Sequence, residues 1–440
     1  MQIPQVECAM SKLNLFLLLF LLPFSLLAAQ SSDGDPTKRQ HRLESQTDHH
    51  SLLLAQSKPV SNRSVERDYD TFTSTRGGVE IVSSDGEFSA TMGGRLLLDA
   101  AYYDEDKNSL GNGTEIRSAR LDMEGRIFAD IIYELSVDFA DGDADMKDAW
   151  LAYDAYHPWR FILGHFKEPF SLEELTSRKH LTFMERALPN ALVPGRNMGL
   201  GLQWHGEQVS VAAGLFGDDF NDDSDDEGDE GWGVSTRATY APIASERSVL
   251  HFGASAAYRK LDDEEEYRVD IRPESHLTDV RYLDAGKIKQ SRTLTLVGLE
   301  TAWIYGETSL QAEWLASNLE RDDDTDIEFS GWYVQASWFP TGESRHYKHQ
   351  QARFGRVKPL SELGALELAL RYSTLDLTDQ DVEGGSSDQI TVGVNWYYKP
   401  QMRFMMNYSL VKNDRYADAD GDLENEDEPK ILQLRAQVDF

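Results

Sequence analysis

The chain is predicted to be all-β, a transmembrane antiparallel β-barrel of about 16 strands. Three observations carry the prediction. The last eleven residues, Lys430 to Phe440, alternate strictly: Leu432, Leu434, Ala436, Val438 and Phe440 against Gln433, Arg435, Gln437 and Asp439. Period two puts one apolar and one polar face on a strand. From Phe88 onward such runs recur about every ten residues, with charge on one face of nearly every run, as a wall between lipid and water requires. A soluble sandwich also has half-buried strands, but it gives no reason for that repeated charged face. Finally, no run after residue 29 approaches the length of a spanning helix.

The elements follow in chain order. Residues 1–29 read as a signal peptide: Lys12 precedes an apolar run from Leu13 to Leu27, and Ala28-Ala29-Gln30 follow it. Glu7 suits such a leader poorly, and Met10-Ser-Lys12 is the more natural start. The single cysteine, Cys8, lies in this leader, so a processed chain has no disulfide or thiolate chemistry. Residues 30–80 are polar, almost free of aromatics, and read as a flexible or partly helical periplasmic extension. Residues 81–440 read as the barrel.

Within it, Leu96, Leu98, Ala100 and Tyr102 share a face opposite Arg95 and Asp99. Ala119, Leu121 and Met123 oppose Arg120, Asp122, Glu124 and Arg126; Tyr133, Leu135 and Val137 oppose Glu134 and Asp138. Further runs occupy Leu200–Trp204, Val209–Leu215, Trp232–Tyr240, Leu250–Tyr258, Leu310–Ala316, Trp332–Trp338, Leu366–Tyr372, Ile390–Tyr398 and Met402–Leu410. The run Leu294–Tyr305 is apolar on both faces, so its phase is open. Aromatics such as Trp204, Trp303, Trp338, Trp396 and Tyr398 collect at run ends, where an interfacial girdle belongs. Short joins (His205-Gly206-Glu207, Tyr305-Gly306-Glu307) alternate with long acidic ones, the asymmetry of periplasmic turns and external loops.

The formal net charge is −33, and its position matters more than its size. Asp218–Glu230 holds nine acids, Asp262–Glu266 five, Glu320–Glu328 six and Asp414–Glu428 eight, with only Arg321 and Arg415 among them. Without these segments 48 acids face 41 basic residues, a balance of −7. The acidity therefore sits in solvated joins, and it argues against a nucleic-acid partner.

One long segment is not a strand: Gly164-His-Phe-Lys167-Glu-Pro-Phe170-Ser-Leu-Glu-Glu, then Thr182-Phe-Met-Glu185-Arg186, then Pro194-Gly-Arg196-Asn-Met-Gly199. With Met146-Lys-Asp148-Ala-Trp-Leu-Ala-Tyr153 and Trp338-Phe-Pro-Thr-Gly-Glu343, it resembles the phosphate-selective porin O/P family over roughly Phe88–Phe440. The resemblance implies a sixteen-stranded outer-membrane barrel, a homotrimer, whose third external loop folds inward and passes small anions such as phosphate or pyrophosphate through a basic constriction. Its surroundings would be outer-membrane lipid and lipopolysaccharide. The residues themselves support an inserted loop, because Pro169, Pro189 and Pro194 forbid a strand and polar non-strand backbone at membrane depth survives only against a water-filled lumen or packed protein. Candidate anion-binding residues are Lys167, Arg178, Lys179, Arg186 and Arg196 on this segment, with Lys167 foremost, and Arg95, Arg120, Arg126 and Arg160 on the wall. Arg237, Arg371 and Arg435 also point inward by phase. Glu168, Glu173, Glu174 and Glu185 leave the segment at +1, and Asp99, Asp122, Glu124, Glu134, Asp138, Glu313 and Glu367 share the inner face, so the basic track is diluted.

Other chemistry is not supported. Asp141–Asp145 and Asp418–Asp422 carry alternating carboxylates but lack the glycine and glutamate that an EF-hand loop needs. There is no Gly-x-Ser-x-Gly elbow and no His-Glu-x-x-His pair, so no enzyme, metal site or cofactor is expected. Asn62-Arg-Ser64 and Asn112-Gly-Thr114 are chance sequons in an envelope protein of this kind. Two other functions stay open: a general diffusion porin with weak or cation selectivity, and a structural or adhesive barrel whose acidic loops bind divalent ions.

Overall fold

The computed structural model describes residues 69–440 apart from 74–77, 141, 218–230, 262–265, 323 and 415–422. The leader, most of the polar extension and the Asp418–Asp422 cluster lie outside the described residues. So do Asp141, with which the other acidic cluster begins, and much of the acidic joins. Across the boundary read at residue 80, β1 (Tyr69–Thr73) and β2 (Val79–Ser83) pair as an antiparallel hairpin.

The barrel strands begin with β3 (Ser89–Asp104), β4 (Gly113–Ile127), β5 (Ile131–Asp138), β6 (Asp145–Tyr153), β7 (Trp159–Lys167), β8 (Arg196–His205), β9 (Val209–Phe216), β10 (Trp232–Ala244) and β11 (Ser248–Lys260). A two-residue pair, β12 (Asp270–Ile271) and β13 (Leu283–Asp284), precedes β14 (Ser291–Tyr305), β15 (Thr308–Arg321) and β16 (Ile327–Trp338). A second such pair, β17 (Tyr347–Lys348) and β18 (Arg353–Phe354), precedes β19 (Ala365–Asp379), β20 (Val382–Lys399), β21 (Met402–Asn413) and β22 (Lys430–Asp439). Leaving out the hairpin and the two short pairs, sixteen strands form the wall. Each pairs antiparallel with the next, and β22 closes on β3 from Lys430↔Asp104 to Asp439↔Arg95. Phe440 finishes the seam: its amide donates to Gly94 O at 3.0 Å, and the Gly94 amide donates to Phe440 O at 2.8 Å. β2 then takes over as neighbour of β3 at Ser89–Met92.

The outward face is apolar and open. Leu299 is 56% exposed and Leu370 53%, values that only lipid makes affordable for side chains of this size. Aromatic pairs flank that band: Trp159–Trp204, Trp303–Tyr305 and Trp396–Phe404 toward the ends with short turns, Trp232–Tyr258 toward the other.

Apart from Glu300 on its inner face, Leu294–Tyr305 is apolar on both faces for a physical reason. Val297, Leu299, Trp303 and Tyr305 face out, while Leu296, Ala302 and Ile304 face in and are buried. Their inner partners are segments folded into the barrel. Phe170, Leu188 and Leu192 of the connection after β7, together with Leu261, Val269, Leu283 and Ile288 of the connection after β11, pack on Leu296, Leu315, Phe329 and Leu375. Leu172 and Phe354 pack on Val249, Ala302 and Ile304. Phe354 belongs to residues 339–364, a connection at the short-turn end. Three inserts therefore enter the lumen, two from the external end and one from the periplasmic end. The sequence points to only the first.

Candidate functional site

The constriction loop, residues 168–195, carries a one-turn helix α1 (Leu172–Leu175) and short 3-10 turns at Arg178–His180 and Leu188–Leu192. Such backbone leaves carbonyls and amides without ladder partners, and inside a barrel each must be satisfied. The wall does this with side chains. Gln437 donates to Lys179 O at 3.0 Å, Arg403 to Leu181 O at 2.6 Å, Asn395 to Thr182 O at 2.8 Å, Arg435 to Met184 O at 2.5 Å and Arg371 to Glu185 O at 3.0 Å. Glu313 accepts the Leu172 and Glu173 amides at 2.9 and 2.7 Å. Glycines in the wall seat the loop's apolar residues. A Cβ on Gly298 would lie 3.2 Å from Phe170, one on Gly331 3.0 Å from Pro189, and one on Gly393 3.1 Å from Phe183.

The wall arginines do not form the open track expected of them. Arg371, Arg435 and Arg237 point inward but are buried beneath the inserts in ion pairs, with Glu173 and Glu274, with Asp99 and Glu185, and with Glu300 respectively. They hold segments in place and do not line water.

The other candidates divide into groups. Lys167 contacts the Glu174 carboxylate and main chain, so its charge is neutralised at the loop's root. Arg186 meets Glu174 at 3.1 Å and donates to three loop carbonyls. Burial works to raise the Glu174 carboxyl, but Arg186 and Lys167 outweigh it and hold it well below the carboxylate range. Arg196 forms a bidentate pair with Asp148 at 3.0 and 2.8 Å. Arg120 shares Asp138 (3.3 Å) and Asp148 (3.9 Å), and Arg95 bonds Ser118 at 3.0 Å. Arg126 and Arg160 sit apart at the short-turn rim, on Ala129 O and Asp154.

Arg178 and Lys179 differ from these. Neither forms an ion pair among the described residues, and the Arg178 Nε is buried without a partner. Burial, and then the like charge of Arg117, weigh against the ionised guanidinium, with Glu185 opposing them. An anion arriving there would relieve both. Glu185 itself is held in place by Arg117 at 2.9 Å and Arg435 at 2.8 Å.

The 339–364 insert supplies basic residues that sequence reading passed over. Ser344–Ser361 holds Arg345, Lys348, Arg353, Arg356 and Lys358 and no acid, an exceptional stretch in so acidic a protein. That was the available signal. Arg353 donates to Leu175 O at 3.0 Å and Phe354 N to Thr176 Oγ1 at 3.3 Å, so this insert touches the constriction loop inside the barrel. Lys348 forms no ion pair among the described residues, and Arg353 bonds only neutral acceptors there. Burial, with Lys179, Arg356, Lys348 and Arg403 around it, keeps His180 well below its ordinary range and therefore neutral. The junction of the two inserts is thus a positive zone.

Comparison with known proteins fits this architecture. The family model described as phosphate-selective porin O and P matches residues 91–440. The chain belongs to that family. It is 31% identical to Porin O of Pseudomonas aeruginosa over 412 residues, covering 84% of this chain and 94% of the relative. It is 32% identical to an uncharacterized protein of Caulobacter vibrioides over 357 residues, covering 76% and 71%. Among solved structures it resembles OmpT of Vibrio cholerae (TM-score 0.52, 12% identity, 80% of this chain and 98% of that one). It also resembles OprB of Pseudomonas putida (TM-score 0.51, 9% identity, 81% and 95%). These last two share the fold. As a porin O and P member, the protein is an outer-membrane porin.

Proposed function

We propose that this porin passes small anions by passive diffusion, phosphate being the solute its family name points to and pyrophosphate a second candidate of the same chemistry, and that it works as a homotrimer. The observation that carries the reading is the set of cations without carboxylate partners where the inserts meet: Arg178 and Lys179 from one side, Lys348 and Arg353 from the other. Most other charges deep in the lumen are paired. Unpaired, partly desolvated cations in a narrow passage attract an anion strongly, and several modest sites in sequence let it leave again. Arg95, Arg120 and Arg196 on the adjoining wall share Asp138 and Asp148, so that cluster is largely balanced and adds little to the positive region. Lys167 and Arg186, being neutralised in the loop, take no part. For the assembly, OmpT of Vibrio cholerae, a relative in fold, has been described in a trimer form.

The second reading, weak or cationic selectivity, draws on Glu124 and Glu134, which face the lumen without a partner among the described residues. The reversal potential of the reconstituted protein under a KCl gradient separates the two. A chloride-selective potential, reduced in Arg178→Ala and accompanied by current block with added phosphate, supports the anion path. A potassium-selective potential without phosphate block ends it.

A further inference from the structure

Two rows of the inner wall from β5 to β9 are almost without polar side chains. In the antiparallel register Ile132 lies opposite Ala152, Ala152 opposite Ile162, Ile162 opposite Gly201 and Gly201 opposite Gly214. In the row beside it Glu134 is followed by Trp150, Gly164, Gly199 and Phe216. Both rows face the lumen, because Leu151, Tyr153, Phe161, Leu163 and Leu200 are exposed on the other side of the wall. Glycine makes room for rings there. A Cβ on Gly201 would stand 2.9 Å from the Phe166 ring, and one on Gly199 or Gly214 would strike Phe216. The Phe166 and Phe216 rings meet with centroids 5.2 Å apart. Ala152, Ile162, Phe166 and Phe216 are buried in this cluster, while Ile132 and Trp150 pack against it and stay partly exposed.

Elsewhere an apolar inner face has a cover. Leu296 and Leu315 lie under Phe170, Leu188 and Leu192 of the constriction loop, and Ile304 lies under Leu172 and Phe354. Among the described residues, no apolar side chain of the inserts joins the β5–β9 cluster. Apolar surface left facing a water-filled lumen is unfavourable, and the same strands place Ser136, Asp138, Asp148 and Arg160 on that face at other heights. The closed barrel admits only solutes and its own chain to this strip. Its lower edge is at the periplasmic turns, Ile132 being the second residue of β5 and Ala152 the last but one of β6. Its upper edge is at Lys167 opposite Arg196, the root of the constriction loop. A solute leaving the constriction toward the periplasm has the strip beside it.

We infer that this strip binds the apolar body of organic solutes, and that organic anions bearing an aromatic ring are held there in preference to compact anions such as phosphate. Trp150 offers a ring a face to stack on and Ile132 an aliphatic edge, while the charged group of the solute stays in the hydrated lumen. Glu134 borders the strip on the β5 flank, and the ring of the solute, not its charged group, is what the strip accepts. The inference rests on the lumen being a solute path and needs neither sign of ion selectivity.

The test compares phenylphosphonate with methylphosphonate, which carry the same charged group, as blockers of ion current through the full-length protein in planar bilayers. Half-maximal block should need about three- to tenfold less phenylphosphonate, the gain from one aromatic contact. In Trp150→Thr that ratio should fall toward one, with methylphosphonate block moved less than phenylphosphonate block. Ile132→Thr, on a different strand and close in size, should also reduce the ratio and serves if Trp150→Thr does not insert. Equal block by the two phosphonates in the unmodified protein would mean that the strip is covered by another part of the chain or does not bind, and overturns the inference. A ratio that survives both substitutions overturns it too. If neither phosphonate blocks, the anion reading falls, and benzylammonium against methylammonium decides this inference by the same ratio and the same variants.

Discussion

Replacing Arg435 with methionine should release the constriction loop while the barrel stays closed. Arg435 lies on β22 and donates to Asp99 at 2.7 and 2.6 Å, to Glu185 at 2.8 Å and to Met184 O at 2.5 Å. The substitution leaves Asp99 buried with no cation, Glu185 with Arg117 alone, and the Met184 carbonyl without its donor. Removing one partner of a buried charge pair costs about 3–5 kcal/mol. At about 1.4 kcal/mol per tenfold change, that is a rise in loop opening of roughly a hundredfold to several thousandfold. The loss should stay local, because β22 keeps nine residue pairs with β21 and ten with β3. Hydrogen exchange on the protein in vesicles, followed by mass spectrometry, reads both regions separately. Amides of residues 178–186 should lose protection by that factor while those of β22 and β3 keep theirs. Unchanged exchange at 178–186, or an equal loss along the strands, would refute the assignment of Arg435 as the loop's anchor.

Two further outcomes follow from the same geometry. Gly393→Leu should drive Phe183 from its seat, since even a Cβ would lie 3.1 Å from that ring. Overpacking of this kind costs about 1–3 kcal/mol, and single-channel conductance should become larger and noisier; an unchanged conductance would show that Phe183 does not set the loop's position. Burial, with Arg353 and Lys179 close by, lowers the Lys348 ammonium to about 8. Its charge is therefore present at pH 7 and lost as pH rises through 8, so anion preference measured by reversal potential should decline between pH 7 and 9. The decline should be smaller in Lys348→Met, and one of equal size in that variant would place the titrating group elsewhere.

The wall of this protein was written in its sequence because its physics is local. A strand between lipid and water must alternate with period two, and each run from β3 to β22 that has water or polar groups inside does so legibly. Leu294–Tyr305 was illegible for the complementary reason. Its inner face meets Phe170 and other apolar residues of the inserts, so both faces are apolar and alternation carries no phase. The prolines and charges of residues 168–195 likewise showed that this segment had to lie inside, because polar non-strand backbone has no place against lipid.

Which charges face water was decided only by the tertiary structure. Arg371 and Arg435 satisfy the same inward phase as Arg120, yet they bond carbonyls and carboxylates of the loop laid over them. Lys167 and Arg178 lie eleven residues apart on one segment, and the first is neutralised by Glu174 while the second has no ion-pair partner among the described residues. Period and composition fix the face a side chain takes on its own strand. What covers that face comes from residues up to hundreds of positions away, as Arg435 meeting Glu185 and Arg353 meeting Leu175 demonstrate. The sequence by itself determined a closed wall with something folded inside it; the pairing of charges across the lumen, and with it the character of the passage, came from packing.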